Sequence, residues 1–191
     1  MKIALTGWGG FLATKLRDRT EVEWVENSAD TDALVLMGGP TFTHPELSIH
    51  DAHVMHQYVR ETIKIIDRYE GHIIFASTTG VDDIQLDHKG STAYNLGKLY
   101  LENYVINNCD SYSVLRIGTV VSDKSSDIAM MKPDRIQPQI IKGIMPNWED
   151  NYLLVDDFVN TTLDVILNKR TGIIEYPLTK MNLAQLKKIT S

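Results

Sequence analysis

Residues 6–13 read TGWGGFLA. They follow a short apolar run at 3–5 and lead into a segment of helical character, so the local order is strand, tight glycine turn, helix N-terminus. That arrangement brings free backbone amides and the positive end of a helix dipole to one point, the physical means of holding a pyrophosphate. Gly7 makes the turn, Gly10 lets the backbone approach the phosphates, and Ala13 is small enough for the helix to lie close on a sheet. A dinucleotide also needs an acidic residue about 20 residues on to accept from a ribose. Glu26 ends the next apolar run, 22–25, where that residue belongs.

Further apolar runs at 33–37, 73–76 and 112–116 are bounded by turn signals, and several are apolar on both faces, as a buried parallel sheet requires. Between them, residues 48–69 place Ala52, Met55, Val59, Ile66 and Tyr69 at helical spacing, and residues 91–107 do the same with Ala93, Gly97, Tyr100 and Tyr104. Ser48 and Ser91 are candidate N-caps for the two helices. The alternation predicts an α/β fold, a Rossmann-type doubly wound parallel sheet. Beyond Arg116 the pattern loosens: 122–151 is polar and proline-punctuated, with one short helix expected near 137–142. A helix is then expected over 156–167, a strand over 173–176, and a last helix over 182–189 with an Asn-x-x-Gln start. The whole chain, 1–191, reads as a single domain, with 122–151 and 173–191 forming a small lid, a reduced C-terminal substrate-binding portion.

The 191 residues suffice for one well-buried core, and 43% hydrophobic with 23% charged residues is ordinary for such a domain. A formal charge of -6, with no basic run beyond Lys169-Arg170 or Lys187-Lys188, argues against nucleic acid or an anionic membrane as the main partner. No apolar run approaches a membrane span or signal core, and the sole cysteine, Cys109, cannot form an internal disulfide. A cytosolic protein is the expectation.

A second feature is Tyr94-Asn-Leu-Gly-Lys98. Tyrosine and lysine at i and i+4 share one helix face, and an ammonium there favours the phenolate, making a general acid–base of a residue otherwise inert at neutrality. The spacing recurs at Tyr176-Pro-Leu-Thr-Lys180, but there a proline follows the tyrosine and the segment follows a strand, so the side chains share no helix face. Tyr94 has company: the run 75–80, FASTTG, ends the preceding strand with the hydroxyls of Ser77, Thr78 and Thr79, at the same sheet edge as the glycine turn.

TGWGGFLA, DALVLMGG (32–39), IIFASTTG (73–80), YNLGK, LRIGTVVS (115–122) and LLVDDFV (153–159) occur in the order seen in extended short-chain dehydrogenases/reductases. The chain resembles their NAD-dependent epimerase/dehydratase branch, the nucleotide-sugar epimerase-like proteins, in shortened form. The resemblance implies NAD as cofactor, with NADP possible given Arg17 and Arg19, held by Gly7, Trp8, Gly10, Phe11, Leu12, Glu26, Gly38, Gly39 and Lys98. It implies Tyr94 as acid–base, Lys98 on the nicotinamide ribose, and Thr78 orienting the substrate's reacting oxygen. The expected activity is hydride and proton transfer at a hydroxyl or carbonyl carbon of a small sugar or nucleotide-sugar, as an epimerase or as a dehydrorhamnose-reductase-like enzyme. A non-catalytic dinucleotide-binding protein is the rival expectation. A homodimer pairing helices 48–69 and 91–107 is implied as well.

The departures are specific. Thr79-Gly80 stands where sugar dehydratases carry Asp-Glu, so loss of water is not expected. Tyr58 stands where the family has an asparagine, and Asp150 where it often has an arginine for the substrate diphosphate. Trp8 falls at a variable loop position, and its indole is expected to flank the cofactor or the lid. His50, His53 and His56 invite a metal reading, but at 100° per residue the outer two lie about 240° apart around the helix, which one tetrahedral ion does not span. Asp156-Asp157 reads as a first-turn pair that complements a helix dipole.

Overall fold

Six parallel strands carry the molecule, in the order β2-β1-β3-β4-β5-β8. They are β1 (Lys2–Thr6), β2 (Glu23–Glu26), β3 (Ala33–Leu36), β4 (His72–Thr78), β5 (Tyr112–Ile117) and β8 (Gly172–Glu175). The structure is a computed structural model and describes residues 1–26, 30–40, 49–83, 93–122, 149–182 and 185. β3 is buried along its whole length and β4 at every residue but Thr78, because both faces of these strands meet helices. The helices are α1 (Phe11–Arg17), α2 (Ile49–Ile66), the single turn α3 (Gly80–Asp83), α4 (Ala93–Asn108) and α5 (Val155–Leu167).

α1 and α5 pack on one face, around Leu5, Leu16, Val35, Leu115, Phe158 and Ile166. α2 and α4 pack on the other, over Leu34, Phe75, Leu101, Val105 and Val114. They come close at Gly97, where an added Cβ would sit 2.2 Å from the Met55 methyl carbon. The strand order reverses at β1, which has β2 on one side and β3 on the other. The crevice outside the carboxyl ends of β1 and β3 is therefore the place where such a sheet takes a ligand.

β8 takes the far edge of the main sheet, in register with β5 from Ser113↔Gly172 to Arg116↔Glu175. The stretch 173–191, expected in a lid, thus divides: its first strand extends the main sheet. A strand the sequence did not suggest, β9 (Thr179–Asn182), joins a separate three-stranded sheet, β6-β7-β9, with β6 (Val120–Val121) and β7 (Glu149–Leu154). The expected caps Ser48 and Ser91 and the short helix at 137–142 lie outside the described residues, as does the last helix at 182–189 except for its first residue and Gln185.

The stripe expected on α4 needs correction. Tyr100 is 57% exposed, and the buried face is Gly97, Lys98, Leu101, Glu102 and Val105. Apolar periodicity misplaces it because two of the five inward residues are charged, their heads held by polar groups of the sheet. At the amino ends of the strands, buried His72 joins β4 to the start of β5. The Ser113 hydroxyl donates to the Arg170 carbonyl, so it accepts from His72 Nε2 at 2.9 Å, while Nδ1 accepts from the Ser111 hydroxyl at 2.7 Å. These bonds fix the neutral Nε2–H tautomer.

Candidate functional site

At the carboxyl end of β1 the chain turns through Gly7, with φ +68. An added Cβ would lie 2.8 Å from the Gly38 amide nitrogen and 2.9 Å from its Cα, so both conformation and space exclude a side chain. The Gly10 amide closes the turn on the Gly7 carbonyl at 2.8 Å. Gly10 is the N-cap of α1 and offers no side-chain cap. The amides of Phe11, Leu12 and Ala13 fall in the first turn, before the helical ladder begins with Thr14 donating to Gly10 at 2.9 Å. The end of β3 lies against the turn itself, where Gly38 donates to the Thr6 hydroxyl at 3.4 Å. Ala13 is buried in the core under α1, as its small size allows. Such a cradle fits a diphosphate: backbone donors, a helix N-terminus and no carboxylate side chain in the turn.

Glu26 sits exposed at the end of β2, opposite Leu5 of β1. Of the two nearby arginines, Arg19 pairs with Glu21 at 3.0 Å. Arg17 lies over Trp8, its guanidinium carbon 4.4 Å from the indole centroid, and its Nε is buried without a partner among the described residues. Trp8 is half-buried and packs against the core on the α1 side. Leu12 packs there too, leaving its amide rather than its side chain for a ligand.

Across the crevice, α4 delivers Lys98 to the ends of β3 and β4. Only 2% exposed, its ammonium donates to the Ala76 carbonyl at 2.7 Å, the Tyr58 hydroxyl at 3.3 Å and the Gly38 carbonyl at 3.4 Å. The rings of Phe75, Tyr58 and Tyr94 surround it, with centroids 4.9, 5.3 and 5.7 Å away. No carboxylate among the described residues forms an ion pair with it, and burial brings its pKa down to about 7. Tyr94 is half-buried one turn earlier on the helix, so the expected pair does share a face beside the sheet edge. Thr78 ends β4, and its hydroxyl accepts from the Gly80 amide at 3.2 Å. Gly39 is the next backbone beyond this cluster, with an added Cβ 3.4 Å from the Lys98 nitrogen.

Two groups of importance to the site were not singled out in the sequence. Tyr58 was noted only as a departure, yet its hydroxyl donates to Gly38 at 2.5 Å, and burial pushes its pKa up. Glu102, one turn beyond Lys98 and 2% exposed, accepts from the Ser77 hydroxyl at 2.8 Å and from both Nε and a terminal nitrogen of Arg116. Arg116 also reaches Asp82 of α3 at 2.9 Å. This network fixes α4, and with it Tyr94 and Lys98, against β4 and β5. The signal was available: Lys98 and Glu102 at i, i+4 on the inward side of a helix.

No family model matches the chain, and no curated protein matches it in sequence. Solved structures do match in fold. ADP-L-glycero-D-manno-heptose-6-epimerase from Helicobacter pylori superposes with a TM-score of 0.71 at 13% identity, over 97% of this chain and 79% of that one. A dTDP-4-dehydrorhamnose reductase from Clostridium acetobutylicum gives 0.69 at 14% identity, over 100% and 81%. A short-chain dehydrogenase/reductase superfamily protein from Agrobacterium tumefaciens, with bound NAD, gives 0.68 at 13%, over 97% and 80%. The chain shares the fold of these structures, a Rossmann-type doubly wound parallel sheet. The chain spans about four fifths of the length of these matches.

Within this fold the second tyrosine–lysine spacing has a plain structural use. Tyr176 is buried in the core, stacked on Phe158 with its hydroxyl 2.9 Å from Thr162, while Lys180 is exposed on β9. Asp156 and Asp157 occupy the first turn of α5. Asp150 lies in β7 opposite Met181. His53 and His56 are exposed on α2.

Proposed function

We propose that the chain is an NAD-dependent oxidoreductase or epimerase acting at a hydroxyl- or carbonyl-bearing carbon of a small sugar or nucleotide-sugar. The observation that carries this is the placing of Lys98 at the ends of β3 and β4, beside Tyr94 and across from the Gly7 turn. The matched proteins support it as a kind of reaction: one is an epimerase, one a reductase, and one holds NAD.

A nicotinamide dinucleotide, when bound, supplies a hydride acceptor or donor. The residues do the rest. First-turn amides of α1, at Phe11 and Leu12, hold the diphosphate, with Gly7, Trp8 and Gly10 shaping the turn. Glu26 accepts from the adenosine ribose and repels a 2′-phosphate, which favours NAD over NADP. Gly38 and Gly39 pass alongside without side chains to obstruct the ligand. Lys98 donates to the nicotinamide ribose and lowers the cost of a Tyr94 phenolate. Tyr94 takes or returns the hydroxyl proton, and Thr78 donates to the reacting oxygen. The portion after residue 122 covers the substrate, and the protein works in the cytosol.

The consumption of NADH distinguishes a reductase from an epimerase, which returns the hydride to the other face of the transient ketone. A non-catalytic dinucleotide-binding role has one observation in its favour, since all three Lys98 protons already have acceptors within the protein. Cofactor binding followed by a sugar-nucleotide screen, with Tyr94→Phe as control, decides. Turnover surviving that substitution unchanged refutes the mechanism. We also propose a homodimer through α2 and α4, for which Leu96 and Tyr100, 45% and 57% exposed, supply apolar surface. Sedimentation as a monomer refutes that part.

A further inference from the structure

An ammonium has three donors and no acceptor, and at Lys98 the three go to Ala76, Tyr58 and Gly38. The Ala76 bond, 2.7 Å, has ordinary length; the other two, 3.3 and 3.4 Å, exceed the usual range for such bonds. The Gly38 carbonyl does not depend on Lys98, because Tyr58 donates to it at 2.5 Å. Three rings close the remaining sides. A ligand hydroxyl reaching this nitrogen therefore cannot simply add to a free donor. It has to replace one of the two long bonds, and both involve the Tyr58–Gly38 pair.

We propose that Tyr58 is a positioning residue that sets dinucleotide affinity, its hydroxyl holding the place at Lys98 that a ribose hydroxyl of the ligand takes on binding. The proposal rests on the dinucleotide reading above and adds a determinant to it. Ala76 is fixed within β4 by its pairing with Leu115, so the yielding partner is the side chain on α2, whose phenol can swing while its ring stays against the core on that side of the sheet and beside Lys98. An internal hydroxyl in this position weakens the ligand by the bond that must be given up, and keeps the empty site dry around a buried cation.

The test is calorimetric titration with NAD, and separately with ADP, which lacks the second ribose. The proteins are wild type, Tyr58→Phe, Lys98→Met and the double variant, each checked for an unchanged circular dichroism spectrum. Tyr58→Phe keeps the ring and removes the competing hydroxyl, so the Kd for NAD falls roughly 3–10-fold, the span of one net hydrogen bond. ADP affinity stays the same, and in the Lys98→Met background the Tyr58→Phe change no longer matters. A loss of packing alone moves all of these the other way or together. NAD bound no more tightly by Tyr58→Phe than by wild type overturns the proposal and leaves the dinucleotide reading standing, as does equal tightening of ADP. Absence of NAD binding by both proteins overturns the dinucleotide reading itself, and this proposal with it.

Discussion

Lys98 makes stability depend on pH in a direction that can be worked out beforehand. In the unfolded chain a lysine holds its proton up to about 10.4; buried here among rings and carbonyls, it releases it at about 7. Between those values the unfolded chain binds more protons than the folded one, so the stability of the fold rises with pH. The penalty for burying the charge is fully present below pH 7 and fully relieved above about 10.4. The slope approaches about 1.4 kcal/mol per pH unit, and the whole interval is worth about 5 kcal/mol. Urea unfolding of wild type and Lys98→Met at half-unit steps from pH 7 to 9.5 isolates this group, because other titrating residues cancel in the difference. That window also stops short of the buried tyrosines, which oppose the trend as they ionise in the unfolded chain near pH 10. The wild-type curve should climb relative to the variant by about 3 kcal/mol. Methionine fills the stem's volume, so the comparison does not rest on a cavity. Parallel curves across the window would falsify the account of Lys98 as a buried, unpaired cation, and with it the reason given for its place in the site.

Three further outcomes follow from other parts of the structure. Gly7→Ala should destabilise the protein by about 1–3 kcal/mol and abolish dinucleotide binding, since φ +68 and a 2.8 Å approach to Gly38 both oppose a Cβ; Gly9→Ala, with nothing within 4 Å, should do neither. Melting and fluorescence titration of the pair check this. Glu102→Ala should cost about 3–5 kcal/mol in urea unfolding, because it strands the partly buried Arg116 and leaves the buried Ser77 hydroxyl without its acceptor, whereas Asp82→Asn at the exposed end of the same network should cost under about 1 kcal/mol. Burial holds His72 below the usual histidine range, so below about pH 6.5 the unfolded chain takes up a proton that the folded one resists, and stability falls with acidification. The acid limb of the urea midpoint should flatten in His72→Gln; an unchanged limb speaks against the buried neutral tautomer.

The sheet was legible because its strands are apolar on both faces and punctuated by turns, a pattern that needs no knowledge of partners. Residues 3–5, 22–25, 33–37, 73–76 and 112–116 all became parallel strands of one sheet within a residue or two. β9 was not legible, since Thr-Lys-Met-Asn carries no strand pattern and owes its conformation to pairing with β7. The site divides along the same line. The Gly7 turn and the Tyr94/Lys98 spacing are local chemistry, so a short window contains them. Tyr58, Glu102 and Arg116 act through residues on other elements, so the i, i+4 spacing of Lys98 and Glu102 and the departure at Tyr58 mark positions without showing what they bind. Hydropathy even argued against α4's true inward face, because it scores Lys98 and Glu102 by charge and cannot see the acceptors and donors that receive them. The inversion is itself informative. A helix interior that holds a lysine with no carboxylate partner and, one turn on, a glutamate tied to an arginine keeps its two charges in separate compartments. If Lys98 and Glu102 simply paired, the carboxylate would offset the ammonium's charge and weaken its pull on a Tyr94 phenolate. Arg116 and Ser77 occupy the glutamate, which leaves the lysine poised near neutrality beside Tyr94.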